Sequence, residues 1–435
     1  MRKEENKSSK ECVDIFDVSY EGAGVGKIGG QIVFVPKTLP EEQVEVEIVK
    51  RSKSFLNGRL LGVKVSNQLR IEPKCPYFEM CGGCDFQHCD REYELFLKQK
   101  ILKSELAKVG FCGDAKMNVA PQRYAYRNKV KFEIKDGKLG YFKPKSHDFF
   151  EVKFCPIACE EINQIIPKIE QFLTENRLKF LKNVYIKKVD GNIAICFLFD
   201  KNAEKMQKNV KNLSILDDFF VFFAYGDVLE SNKTKVETLK TRKSGSTKLS
   251  QNVYGMNVSV DVSAFNQVND GVAKLLYDFV VEETKGLRVV NAYSGQGLLS
   301  ALICQNAKFV YGIEVQRSAH ESAEDLRKEL WKDEFRMENI CGLVEEELSK
   351  IVLRDKIDCI VLDPAREGCK REVLEVILHS GIDKTIYISC NFSTLTRDLR
   401  FLTPNFDIVS VQIFDMFPCT ANLETVVVLR QKKEI

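Results

Sequence analysis

From about residue 251 onward, short runs of β-branched and aliphatic residues alternate with stretches long enough to be helices. RVVNAY, KFVYGIE, FRMENICG, DCIVLD, TIYIS, DIVSVQIF and TVVVLR read as seven strands, and most are separated by helix-length segments. Parallel strands need such long crossovers, whereas antiparallel neighbours can be joined by short turns. The pattern therefore predicts a doubly wound α/β sheet. Open sheets of this kind hold ligands beyond the carboxyl ends of their strands, so the polar residues that follow each run carry the functional information.

Those residues are distinctive. The first strand runs into NAYSGQG, which places Gly295 and Gly297 in the strand-to-helix turn, and the second ends at Glu314. Glycines let the backbone approach a ligand closely, and an acid at the end of the second strand can accept hydrogen bonds from ribose hydroxyls. Asp363, in DPAREG, follows the strand DCIVL, and Cys390, in SCNFSTLTRDL, follows TIYI. Glu424 precedes the last strand. If that strand runs antiparallel to the others, as its short connection from the sixth permits, its start lies on the same edge.

The preceding sequence is organised differently. Residues 12 to 66 alternate short β-like runs with glycine turns and read as a small barrel. Residues 67 to 250 open with cysteines and an amphipathic helix over 90 to 109, N-capped by Asp90, and continue in strand-rich sequence. Three domains result: 1–66, 67–250 and 251–435. Nine Lys or Arg stand against four acids in residues 121 to 153, and six against one in residues 231 to 250. Both stretches are candidates for phosphate contact, whereas the net charge of +3 is too small to identify a nucleic-acid partner.

No apolar run approaches the roughly 18 residues needed to span a bilayer, so no membrane partner is expected. The charged N-terminus MRKEENKSSK lacks the apolar stretch of a signal peptide, which predicts a cytoplasmic protein. In that setting fifteen cysteines point to metal ligation, catalysis or buried thiols rather than disulfides. Cys75, Cys81 and Cys84 are spaced C-x5-C-x2-C within CPYFEMCGGCDFQH, and a fourth ligand would come from Cys89 or from Cys155 in a CPI tripeptide. Thiolates without histidines suit zinc or an iron-sulfur cluster.

A cysteine, a carboxylate and a nucleoside-bearing cofactor together suit one reaction in particular. Carbon 5 of uracil is a poor nucleophile, but thiolate addition at carbon 6 turns the ring into an enolate that attacks an electrophilic methyl group. A base then removes the hydrogen at carbon 5 and the thiol is eliminated. Cys390 can supply the thiolate, and a helix beginning just after it is expected to lower its pKa.

DPAREG, YISCNFSTLTRDL, DMFPCTANLETVVV, AFNQVN and the glycine turn together resemble the RNA uracil-5-methyltransferase family, which uses S-adenosylmethionine. The resemblance covers nearly the whole chain. It implies a class I, Rossmann-like α/β methyltransferase domain, an N-terminal OB-like β-barrel of the TRAM type that binds RNA, and an α+β iron-sulfur central domain. Cys390 would be the nucleophile and Glu424 the base, while Gln267, Tyr293, Glu314 and Asp363 would contact the methyl donor near Gly295 and Gly297. Phe265 matches a family aromatic, and Arg366 is expected to fix its loop by ion pairing. The ribosomal-RNA branch carries a [4Fe-4S] cluster on the same cysteine spacing, which implies Cys75, Cys81, Cys84 and Cys155 as ligands. Having both barrel and cysteines, the chain resembles that branch more than the transfer-RNA branch, so large-subunit ribosomal RNA is the implied partner, with no obligate protein partner. A transfer-RNA enzyme and a decayed RNA-binding assembly factor are the alternatives. The sequence departs from the family at Asn291, where an acid is common, at Ala365, where a second proline is usual, and at Cys419, where DMFP is often followed by His or Tyr.

Overall fold

The computed structural model describes residues 10–206, 210–230, 233–239, 241–243, 247–331 and 336–433. The first nine residues, Lys240 of the second basic stretch and Phe335 of the third strand run lie outside the described residues. The chain forms two compact units. One comprises residues 1–114 together with 417–423, and the other comprises residues 115–416 and 424–435.

The first unit begins with five strands, β1 (Lys10–Val18), β2 (Gly24–Ile28), β3 (Gln31–Val35), β4 (Gln43–Arg51) and β5 (Phe55–Val65), closed into a barrel in the order β1-β2-β3-β5-β4. Alternate residues point inward, so Val13, Ile15, Val33, Val35, Val44, Val46, Ile48 and Leu56 form its core. A Cβ on Gly26 would lie 2.2 Å from Val13, which explains the glycine between these strands. Helix α1 (Arg91–Ala107) follows, and the Asp90 side chain accepts a hydrogen bond from the Tyr93 backbone N–H at 2.7 Å, as expected of its N-cap.

The second unit holds two larger sheets. After β6 (Lys116–Asn118), the chain forms β7 (Lys129–Lys135), β8 (Lys138–Phe142), β9 (Phe149–Glu151), helix α2 (Glu160–Asn176), β10 (Leu181–Val189), β11 (Asn192–Phe199), β12 (Phe220–Tyr225) and β13 (Lys235–Thr238). The strands from β7 to β13 make a seven-stranded sheet in the order β13-β12-β11-β10-β7-β8-β9. Helix α2 buries Ile162, Ile165, Ile166, Ile169 and Phe172, with the Phe172 ring 5.3 Å from that of Phe197 on β11. A hairpin of β14 (Lys248–Val253) and β15 (Met256–Asp261) precedes helix α3 (Asp270–Glu283).

The remaining elements are β16 (Arg288–Ala292), α4 (Leu298–Cys304), β17 (Phe309–Glu314), α5 (Arg317–Leu330), β18 (Met337–Cys341), α6 (Val344–Arg354), β19 (Cys359–Leu362), α7 (Arg371–His379), β20 (Lys384–Ser389), α8 (Phe392–Leu402), β21 (Phe406–Phe414) and β22 (Glu424–Gln431). All seven strands expected in this region form. They make an eight-stranded sheet, β18-β17-β16-β19-β20-β22-β21-β6, whose eighth member is β6. The five strands from β18 to β20 are parallel, and the inner ones, covered on both faces, are largely apolar; every residue of β19 and β20 is buried. Helix α5 shows the complementary pattern, burying Ala319, Ser322, Ala323 and Leu326 at i, i+3, i+4 and i+7. Strand β22 is antiparallel to both β20 and β21, and the register pairs Ser389 with Thr425. Glu424 therefore lies on the edge where the parallel strands end.

Candidate functional site

The register that pairs Ala292 with Ile313 and with Leu362, and Leu362 with Tyr387, brings the ends of β16, β17, β19 and β20 to one line. The polar residues that follow these strands are neighbours for that reason.

At the β16–β17 end the chain forms a tight turn. Tyr293, Gly295 and Gly297 all have positive φ, at 63°, 56° and 82°. A Cβ on Gly297 would stand 2.6 Å from that of Ala323, so glycine there also lets α4 approach α5. The Glu314 carboxylate accepts hydrogen bonds from the Gly295 N–H at 2.8 Å and the Gln316 N–H at 2.6 Å. It thus shapes the turn while presenting acceptor oxygens on the ligand edge. Asn291 is buried and donates from Nδ2 to Ser300 Oγ at 2.8 Å, tying the turn to α4. The Tyr293 hydroxyl shares a hydrogen bond with the Cys369 thiol, and burial followed by Cys369 raises its pKa well above the usual value.

The loop that carries Phe265 and Gln267 is held beside this turn by residues the sequence motifs did not single out. Gln296 accepts from the Asp261 N–H at 2.6 Å and donates to the Phe265 carbonyl at 3.1 Å, and Gln316 donates to the Ser263 carbonyl at 3.4 Å. From below, the buried Lys187 ammonium donates to the Ala264 carbonyl at 2.9 Å; burial lowers its pKa to about 7. Asn128 Nδ2 donates to the carbonyl of Gln267, itself half-buried, at 3.1 Å. Phe265 is not a core residue. It is 57% exposed, and Lys129 Nζ stands 4.9 Å from its ring centroid. A lysine at 187 carries no motif in sequence, because its partners are backbone carbonyls more than seventy residues away.

At the β19–β20–β22 end, Asp363, Cys390 and Glu424 come together with Arg366. Burial pushes the Asp363 carboxyl up to about 7. Glu424 is only 4% exposed, and burial and then the Asp363 charge raise its pKa well above the usual carboxylate value, against the opposing Arg366 charge. The expected lowering of the Cys390 pKa is corrected. Burial first, and then the Glu424 charge, push the thiol up to about 11, while the Arg366 charge and a hydrogen bond from its guanidinium act in the other direction. Helix α8 does begin where expected, with Asn391 as N-cap accepting from the Ser393 N–H at 3.0 Å. Desolvation beside two carboxyl groups sets the sign of the shift. The Arg366 carbonyl accepts from Asn391 Nδ2 at 2.9 Å and Thr394 Oγ1 at 3.1 Å, which locks the Asp363 loop to the start of α8. Beyond the ion pairing expected of it, the Arg366 side chain faces the Cys390 thiol and opposes its pKa rise.

Cys75, Cys81 and Cys84 lie in the first unit and Cys155 in the second. Among the described residues no group of three or more His, Cys, Asp or Glu side chains is arranged to hold a metal ion. The segment is nonetheless ordered by its surroundings. Lys37 Nζ donates to the carbonyls of Phe78, Cys81 and Cys84, at 2.9 Å for Cys81, with the Phe78 ring centroid 3.8 Å away. No helix among the described residues is long and apolar enough to cross a membrane.

Comparison with known proteins agrees with this geometry. A family model described as tRNA (Uracil-5-)-methyltransferase matches residues 92–432, and a TRAM domain model matches residues 9–61. A protein of Caldanaerobacter subterraneus named as an RNA methyltransferase is 32% identical, with 96% of this chain and 97% of that protein covered. One of Fusobacterium nucleatum, named likewise, is 29% identical over 97% of this chain and 95% of its own. Among solved structures, Pyrococcus abyssi tRNA (uracil-54, C5)-methyltransferase in complex with S-adenosyl-L-homocysteine superposes with a TM-score of 0.76 at 21% identity, covering 96% of this chain and 99% of that one. At that identity the likeness shows a shared fold.

Proposed function

This chain belongs to the tRNA (uracil-5-)-methyltransferase family, and from that premise we propose that it transfers a methyl group from S-adenosylmethionine to carbon 5 of a uridine in large-subunit ribosomal RNA. The observation that carries the reading is the meeting of Cys390, Glu424, Asp363 and Arg366 on one sheet edge, with the Glu424 charge acting on the Cys390 thiol.

The methyl donor supplies an electrophilic methyl group, and the chain's own residues do the rest. Gln267, Glu314 and the turn at Gly295 and Gly297 bind and orient the donor, with Tyr293 and Asp363 beside it. Cys390 Sγ adds to carbon 6 of uracil, giving an enolate whose carbon 5 accepts the methyl group. Glu424, as carboxylate, then takes the carbon 5 hydrogen as a proton, and the electrons of that C–H bond restore the ring double bond as the C–S bond breaks. Burial raises the pKa of both groups, so the Cys390 thiol gives up its proton to solvent before Sγ adds to the ring. Arg366 stabilises the thiolate as it forms, and Glu424, as the carboxylate, is the acceptor of the carbon 5 proton. A target uridine has to leave its stack for Sγ to reach carbon 6, so a loop or single strand is the expected substrate. The TRAM barrel supplies a further RNA-binding surface.

Transfer of labelled methyl groups to unmodified ribosomal RNA tests the reaction. Competition with transfer RNA tests the substrate: preference for transfer RNA would move the chain to the substrate named in its family's description. No methylation of either would make it an RNA-binding assembly factor. An iron-sulfur cluster on Cys75, Cys81, Cys84 and Cys155 rests on cysteine spacing and resemblance. Anaerobically purified protein with about four irons and matching sulfide per chain would support it, and one equivalent of zinc would exclude it.

A further inference from the structure

The loop between β21 and β22 ends one residue before Glu424, and all of it after its first two residues, Phe417–Leu423, belongs to the first unit. Five hydrogen bonds from residues 85 to 98 hold its backbone there. Lys98 Nζ donates to the Phe417 carbonyl at 3.1 Å, and the Cys419 N–H donates to Glu94 Oε1 at 2.7 Å. The Asp85 and Phe86 N–H groups both donate to the Cys419 carbonyl at 2.9 Å, and the Ala421 N–H donates to Asp85 Oδ2 at 2.9 Å. Glu94 and Lys98 are fully buried and pair with each other at 2.9 Å. Cys419, also buried, has φ 67°, a left-handed conformation that a residue with a Cβ adopts only when its surroundings impose it. Gly22 of the barrel packs so closely that a Cβ would lie 2.8 Å from Ala421 and 2.9 Å from Asp85.

A buried ion pair is weak evidence for stability, because desolvation offsets most of its attraction, and such pairs are better understood as fixing a particular conformation. Here Asp85, Glu94 and Lys98 each make a hydrogen bond with one short loop whose next residue is the base, while Arg91 also pairs with Glu94 at 3.0 Å. We propose that Asp85, supported by the Glu94–Lys98 pair, is a positioning residue for proton abstraction: it holds the Phe417–Leu423 loop so that Glu424 enters β22 aligned with the carbon 5 hydrogen. The proposal rests on the reading of Glu424 as the base. The clamp acts on resolution of the covalent intermediate and leaves thiol addition and methyl transfer alone, since Cys390 and Asp363 sit on other loops.

The test compares formation and breakdown of the RNA-linked complex in Asp85→Ala, Asp85→Asn and Glu424→Gln full-length protein, on denaturing gels with labelled methyl donor. Alanine leaves the Ala421 N–H without its acceptor, whereas asparagine keeps an acceptor oxygen. Asp85→Ala is expected to form the complex within about twofold of the wild-type rate and to release methylated RNA about tenfold more slowly, so that linked enzyme accumulates with Glu424 intact. Asp85→Asn is expected to restore release. Equal slowing of both steps, slowing of neither, or failure of asparagine to rescue would overturn the proposal. If Asp85→Ala does not fold, the paired change Glu94→Leu with Lys98→Met removes both buried charges together and is read by the same partition. Normal turnover of Glu424→Gln would dismiss the base assignment, whereas a Glu424→Gln trap with unimpaired Asp85→Ala would dismiss the clamp alone.

Discussion

The two ends of the catalytic sheet edge treat their carboxylates in opposite ways. At the β16–β17 end, Glu314 is met by two backbone N–H donors, from Gly295 and Gln316, which compensate its charge and fix its direction. At the β19–β20–β22 end, burial drives the pKa values of both Asp363 and Glu424 up, and at Glu424 the Asp363 charge adds to the rise while Arg366 opposes it. On the proposed mechanism, a carboxylate serves binding where the backbone solvates it and acid-base chemistry where nothing comparable does. On that reading, the groups with raised pKa values mark the place where bonds would be made.

Substitutions should expose that division, most strongly at the nucleophile. Cys390→Ala should lower methyl transfer by at least about 10⁴-fold and eliminate any RNA-linked band, because the enolate cannot form without the thiolate. A covalent band in this variant would transfer the nucleophile's role to another group. Glu424→Gln should lower turnover by about 10²- to 10⁴-fold while linked, methylated RNA accumulates, since glutamine keeps the shape and loses the basicity.

Arg366→Met comes next. The guanidinium opposes the rise of the Cys390 pKa, so its loss should lower the rate of complex formation near neutral pH by about 10- to 100-fold. The sign of the pH dependence follows from the thiol. The thiolate is the reactive form and the pKa is raised to about 11, so complex formation should increase with pH from about 7 to about 9, and the variant's profile should be displaced to still higher pH. A rate that falls over this range would mean that addition is not limited by ionisation of Cys390. The smallest effect is expected at the binding end. Glu314→Gln should raise KM for the methyl donor about tenfold with little change in kcat, because it weakens hydrogen bonds already present in the ground state. A kcat-only defect would erase the proposed distinction between the two ends.

Much of this arrangement was legible in the chain. Strands such as DCIVL and TIYI are uninterrupted apolar runs because both faces are covered, and the polar residue following each run lands on the ligand edge by topology alone. The barrel core at Val13 and Ile15 follows from period-two alternation, and the cap at Asp90 from a single side-chain hydrogen bond three residues long. These are local signals, written in the period of the backbone.

What the tertiary structure alone decided was interaction between residues far apart in sequence. The chain permits an antiparallel β22, but only pairing with β20 places Glu424 beside Cys390. Strand β6, three residues of no marked pattern, becomes a strand because β21 offers it an open edge. The helix after Cys390 was visible and suggested a depressed pKa, yet the sign is set by desolvation and by Asp363 and Glu424, which arrive from other loops. Local sequence encodes hydrogen-bond geometry and hydrophobic period. The electrostatic character of a side chain depends on what is packed around it, and that is known only once the sheet has closed.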